Sequence, residues 1–206
     1  MLGVYNYTVI LTYFGMLISF TGITCAIQGD LHGALVCLML SGVCDMFDGK
    51  VASTKVRTAQ EKRFGIQIDS LSDLICFGAF PAVIVYTVSD GSNMSFYCSA
   101  LYLLCALIRL AWFNVDEEAR QDSAAGSREV YLGLPVTTAA LVVPALLGLG
   151  RLWHWPLPIL GPVALLAMGV AFLLPFRLKK PALPGKVGMI LCGGAEFLLL
   201  CLAVDL

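Results

Sequence analysis

The stretch CDMFDGKVASTKVRTAQEKRFGIQIDSLSDLICFG, Cys44 to Gly78, decides how this chain is read. It joins two apolar runs and carries four aspartates, Asp45, Asp48, Asp69 and Asp73, at the end of or inside segments otherwise apolar enough to cross a bilayer. An ionised carboxylate at membrane depth is costly, so its presence there points to function by default. Asp45 and Asp48 are three positions apart, and Asp69 and Asp73 are four apart. On helices, each pair shares one face.

The composition around this stretch sets the class. Of 206 residues, 59% are hydrophobic and 13% charged, where a soluble domain carries about a quarter charged. The mean hydropathy is +0.85. This is an all-α integral membrane protein, expected to form a single transmembrane domain over residues 1–206. Apolar runs of about 18 or more residues read as spans. They fall at 8–28, 32–53, 67–89, 95–115, 134–152, 156–176 and 187–204, about seven in total. Pro135, Pro144, Pro156, Pro158, Pro162 and Pro175 cluster in spans five and six, which are therefore expected to be kinked, broken or packed on each other.

Eleven of the 13 Lys and Arg residues fall between spans two and three, four and five, or six and seven, counting Lys50 at the end of span two. The positive-inside rule then puts these loops in the cytoplasm, and with them the N-terminus. The protein is expected to be multi-pass in a prokaryotic cytoplasmic membrane, with its acidic site facing the cytoplasm. No basic N-terminal region suggests a cleavable signal peptide. The eight cysteines are scattered, with no C-x-x-C pair, and read as small packing residues. No nucleic-acid partner is expected.

The acids inside apolar helices are the four aspartates and Glu196. A loop of about 15 residues between spans two and three makes them antiparallel neighbours. The four carboxylates then converge at one depth, near the cytoplasmic surface. Clustered carboxylates repel unless protonated or bound to cations. Hard oxygen ligands favour Mg²⁺, Ca²⁺ or Mn²⁺. Mg²⁺ is usually held by a few carboxylates plus substrate phosphates, so a phosphate-bearing substrate is implied. Four acids suffice for two ions, which can clamp the attacking and leaving oxygens of a phosphoryl group. Gly49, Ala52 and Gly65 lie on the acidic faces, where small side chains admit a bulky ligand. The competing explanation is close helix packing.

The pattern Asp45-x-x-Asp48-Gly49-x-x-Ala52, then Gly65-x-x-x-Asp69-x-x-x-Asp73, resembles the signature of the CDP-alcohol phosphatidyltransferases. That family consists of membrane enzymes with a six-helix core. They displace CMP from a CDP-linked lipid with an alcohol, using divalent metal. The resemblance implies that Asp45, Asp48, Asp69 and Asp73 ligate metal, two Mg²⁺ or Mn²⁺ ions, and that Asp73 is the catalytic base. It places Asp48, Gly49, Ala52, Ser53 and Gly65 in the CDP site. The segments Asp69 to Gly78, Ile108 to Val115 and Gly133-Leu-Pro135 are similar to those of membrane-type phosphatidylserine synthases. They imply CDP-diacylglycerol as donor, L-serine as acceptor and membrane lipids as surroundings. The family also suggests a homodimer.

The chain departs from that pattern in places. Ser53 stands where the family has Arg, and Lys50, Lys55 and Arg57 are the candidates to substitute, since a Lys can serve phosphate as a point charge. The spacer Thr54 to Phe64 is longer than the family's and is expected to loop out. Trp112 replaces a second Arg, and Gly15 stands where relatives often have Asn.

Arg109, inside span four, is a candidate for binding an acceptor carboxylate through its bidentate fork. Asn114 is a weaker candidate for the same pocket. Lys62 and Arg63 either bind diphosphate or anchor to anionic headgroups. Within the class, glycerol 3-phosphate or inositol phosphate is an alternative acceptor. A phosphorylated acceptor calls for several convergent basic residues, which mildly favours serine. Outside the class, a cation or proton carrier would use the same acids, but it requires them spread along the membrane normal. A non-catalytic scaffold is the third possibility.

Overall fold

The computed structural model describes residues 3–122, 130–179 and 193–198. Seven α-helices follow one another among them: α1 (Ile10–Ile27), α2 (Leu31–Ser53), α3 (Ala59–Asp73), α4 (Phe80–Val88), α5 (Asn93–Asp122), α6 (Ala139–Leu152) and α7 (Leu157–Leu173). Residues 193–198 are also helical. α3 and α4 are joined by a π-helical segment, Leu74–Ala79, into one span. By length and composition, Ile10–Ile27, Leu31–Ser53, Ala59–Val88 and Asn93–Ala119 can each cross a membrane, and Val136–Leu152 and Leu157–Leu173 are shorter apolar helices. The seventh expected span, 187–204, lies outside the described residues except for 193–198.

The third span begins well before the expected residue 67. Thr58 caps α3: its hydroxyl accepts from the Glu61 amide at 3.2 Å, and the Thr58 amide donates to the Glu61 carboxylate at 2.8 Å. This capping box satisfies amides that a helix start leaves orphaned. The expected long loop, and the looped-out spacer with it, is thereby corrected to residues 54–58. Lys62 and Arg63 stand exposed on the first turns of a helix.

α1 packs along α2 through small residues. Thr12, Gly15, Ser19, Gly22 and Ala26 form its buried stripe, and the Ser19 and Ser41 hydroxyls meet at 2.8 Å. A Cβ on Gly22 would come to 2.2 Å from the Phe80 ring and 2.6 Å from Cys37 Cβ. Small side chains permit such approach where lipid supplies no hydrophobic drive between helices. Around this pair, α5 packs on α7, and α2 on α6. The core between them holds Leu38, Phe77, Phe80, Tyr102, Leu147 and Phe172.

Pro81 has no N–H to offer the Phe77 carbonyl four residues back. The fully buried Tyr102 on α5 donates its hydroxyl to that carbonyl instead. Ser99, also on α5, donates to the Ala82 carbonyl at 3.2 Å. In a membrane interior every backbone group needs such a partner.

A short ribbon joins the helices. Val130–Leu132 (β1) pairs antiparallel with Arg177–Lys179 (β2), Tyr131 opposite Leu178. The ribbon ties the segment after α5 to the segment after α7, so these two connections lie at one end of the molecule. Gly133 follows at φ +71, donates its amide to the Phe176 carbonyl at 2.7 Å, and has the Leu174 carbonyl where a Cβ would sit, at 2.8 Å. A side chain there would be strained by the backbone and blocked by the end of α7.

Candidate active site

α1 packs on both α2 and α3, and α2 itself meets the third span at the π-helical segment and α4, so the last turns of α2 face α3 across their acidic side chains. Asp45 and Asp48 project from α2, Asp69 and Asp73 from α3, and all four are half-buried. Carboxylate oxygens of Asp45, Asp48 and Asp69 lie within 4.8 Å of one another. Asp45 is within side-chain hydrogen-bonding range of Asp73, and Asp48 of Asp69. Asp73 thus stands outside the three-oxygen cluster, beside Asp45 and one helical turn beyond Asp69. Like charges this close require a neutralising cation or proton. The donor set is all oxygen, with neither His nor Cys among the clustered ligands, which suits Mg²⁺ or Mn²⁺. The π-helical segment starts at Leu74, next to Asp73. Such widened turns are frequent at functional sites.

A third helix contributes to the site. Thr12 of α1 donates its hydroxyl to Asp48 Oδ2 at 3.2 Å, and Ser72 of α3 donates to the Thr12 carbonyl at 3.4 Å. Thr12 plays no part in the sequence-level site. Its signal was its place at the head of the small-residue stripe of α1. Outer partners of this kind orient metal-binding carboxylates.

The small residues separate into two kinds. Nothing lies within 4 Å of a Cβ built on Gly49, so this glycine is not there for packing and its face is open. Gly65 is one helical turn before Asp69. A Cβ there would meet the Arg57 guanidinium at 3.1 Å. Gly42 packs: its Cβ would fall 2.6 Å from Ala140 Cβ. Ala52 is half-buried. Ser53 is exposed and its hydroxyl donates back to the Lys50 carbonyl at 2.7 Å.

Arg109 is buried in α5, at 9% exposure. Asn114 is engaged by α3: its side-chain oxygen accepts from Ser70, and its amide donates to Gln67 Oε1 at 3.2 Å. Gln67 in turn donates to Glu118 at 3.0 Å. These bonds fix α5 against the helix that carries Asp69 and Asp73. Glu196 Oε1 is buried without a hydrogen-bond partner among the described residues.

Beside Asp45, a largely apolar cavity of about 500 Å³ opens between α2, α6 and the 193–198 helix, with Met39, Val43, Phe47, Leu141 and Phe197 among its lining residues. Its lining is mostly hydrocarbon, with Asp45 and Thr137 as its polar side chains.

Residues 5–176 match the family described as CDP-alcohol phosphatidyltransferase. The CDP-diacylglycerol–serine O-phosphatidyltransferase of Saccharomyces cerevisiae is 37% identical over 108 residues, 51% of this chain and 38% of that protein. The archaetidylserine synthase of Methanothermobacter thermautotrophicus is 32% identical over 125 residues, 60% of this chain and 50% of that protein. The CDP-diacylglycerol–serine O-phosphatidyltransferase of Methanocaldococcus jannaschii is 28% identical over 167 residues, 81% of this chain and 71% of that protein. The chain spans half or less of the length of the first two of these relatives.

Proposed function

This chain belongs to the CDP-alcohol phosphatidyltransferase family, and from that premise we propose that it transfers a phosphatidyl group from CDP-diacylglycerol to L-serine and releases CMP. The observation that carries the proposal is the convergence of Asp45, Asp48 and Asp69 within 4.8 Å, with Asp73 beside Asp45. The names of the relatives support serine as the acceptor.

Asp45, Asp48, Asp69 and Asp73 would hold divalent metal, two Mg²⁺ or Mn²⁺ ions. When bound, the metal neutralises diphosphate charge and makes CMP a better leaving group. The residues of the chain do the rest. The open face at Gly49, with Ala52 one turn along the same helix, admits the cytidine diphosphate. Asp73 takes the proton from the serine hydroxyl as its oxygen bonds to the phosphorus that carries the diacylglycerol. The bond from that phosphorus to the bridging oxygen breaks, and CMP departs with that oxygen. A carboxylate is a weak base for an alcohol, and holding the reactants in line compensates. The cavity beside Asp45 offers an acyl chain an apolar path away from the charged site. Buried Arg109 is the residue we assign to the serine carboxylate, through its planar fork. Asn114 supports the acceptor side by holding α5 to α3. The site faces the cytoplasm of a prokaryotic membrane, following the Lys and Arg distribution, and the whole chain acts as one catalytic domain, paired as a homodimer.

The test is CMP release by purified protein given CDP-diacylglycerol, Mg²⁺ or Mn²⁺, and serine, glycerol 3-phosphate or inositol phosphate in turn. Release with serine that stops on chelation is the expected result. Release only with a phosphorylated alcohol would sink the serine assignment, and no release with any of them would sink the enzyme reading.

A further inference from the structure

We infer that Arg57 binds the diphosphate of the CDP-linked substrate, in place of the arginine that position 53 lacks here. The inference rests on the proposed function and adds a residue to its site. Ser53 cannot serve: its side chain is short and its hydroxyl is turned back onto the Lys50 carbonyl. Three cations flank it, and the structure separates them. Lys50 lies over the Phe47 ring, 5.5 Å from the centroid. Lys55 is paired with Glu61 at 3.0 Å. Arg57 instead lays its guanidinium over Gly65, 3.1 Å from where a Cβ would be. Gly65 and Asp69 are four apart on α3 and share a face, so this guanidinium stands one turn above the metal-binding carboxylates.

Two further features suit a phosphate-binding role. Arg57 Nε is buried and has no hydrogen-bond partner among the described residues. A buried N–H without a partner is costly, and a phosphate oxygen is a fitting acceptor. The segment that presents Arg57 is also fixed from several sides. The Thr54 and Tyr7 hydroxyls meet at 3.3 Å, Asn6 donates to Glu61 at 2.9 Å, Lys55 is paired with Glu61, and Thr58 caps α3. The connection 54–58 is thus pre-set, and holding the guanidinium in place lowers the cost of binding.

Equilibrium binding of CDP in Mg²⁺ tests this on the whole chain in detergent, with wild type measured first. Wild type should bind, and Arg57→Ala should bind at least about tenfold more weakly, the scale expected for losing a charge-assisted hydrogen bond. Arg57→Lys should keep part of the affinity, since it retains charge but not the fork. Ser53→Arg in the Arg57→Ala background should recover most of the loss. In turnover assays the change should fall on KM for CDP-diacylglycerol and leave KM for serine unmoved. Binding by Arg57→Ala within about twofold of wild type would overturn the assignment. So would a loss that persists in Arg57→Lys, is not restored by adding Ser53→Arg, and follows a fall in thermal stability. A wild-type protein that does not bind CDP would instead remove the functional reading on which the assignment stands.

Discussion

The hydroxyl of Thr12 donates to the carboxylate of Asp48 across the α1–α2 interface at 3.2 Å. It makes the acidic site a three-helix construction and gives α1 a chemical role. Thr12→Val keeps the shape and removes the donor. Metal titrations of CMP release should show about tenfold weaker metal dependence, as when other outer partners of ligands are removed. An unchanged metal midpoint would confine Thr12 to packing.

Of the four aspartates, Asp73 lies outside the three-oxygen cluster and beside Asp45, and it is the one proposed as the base. Asp73→Asn should lower kcat by about 10²- to 10⁴-fold, the range for loss of a general base, while CDP binding stays measurable. Asn at Asp45, Asp48 or Asp69 should weaken CDP and metal binding together. Turnover by Asp73→Asn near the wild-type rate would refute its role as base.

The glycines make opposite predictions. Gly49→Ala puts a methyl into open space and should leave the thermal midpoint equal or higher, since Ala favours helix by about 1 kcal/mol over Gly. Its KM for CDP-diacylglycerol should nevertheless rise. Gly22→Ala meets Phe80 and Cys37 and should destabilise by about 1–3 kcal/mol, the usual cost of overpacking. Thermal unfolding in detergent separates the two. A destabilised Gly49→Ala would return that glycine to packing.

Tyr102→Phe removes the donor to the Phe77 carbonyl, which Pro81 cannot serve. A loss of about 1 kcal/mol is expected, the scale of hydrogen bonds between membrane helices. Because the bond lies in the π-helical segment that follows Asp73, kcat should fall too. No change in either midpoint or rate would mean that the carbonyl finds another partner.

The Cys44 to Gly78 stretch by itself determined the class of protein and its acidic residues. Carboxylates are so costly in hydrocarbon that four of them on two helical faces leave few explanations, and apolar run length located the first four spans, though not the start of the third. Local signals were present but weaker than the hydrophobic pattern. The Thr58 and Glu61 capping box was legible, yet the polar first turns of α3 read as loop because hydropathy does not register them. Tertiary structure alone decided the rest, because proximity between residues far apart in the chain is set by packing. It brought Thr12 to Asp48, paired β1 with β2, and gave Asn114 to α3. It also showed which glycine faces open space and which meets a neighbouring ring, a difference that depends on what lies opposite. Among Lys50, Lys55 and Arg57, equal as cations in the sequence, it set only the guanidinium of Arg57 over Gly65 above the aspartates.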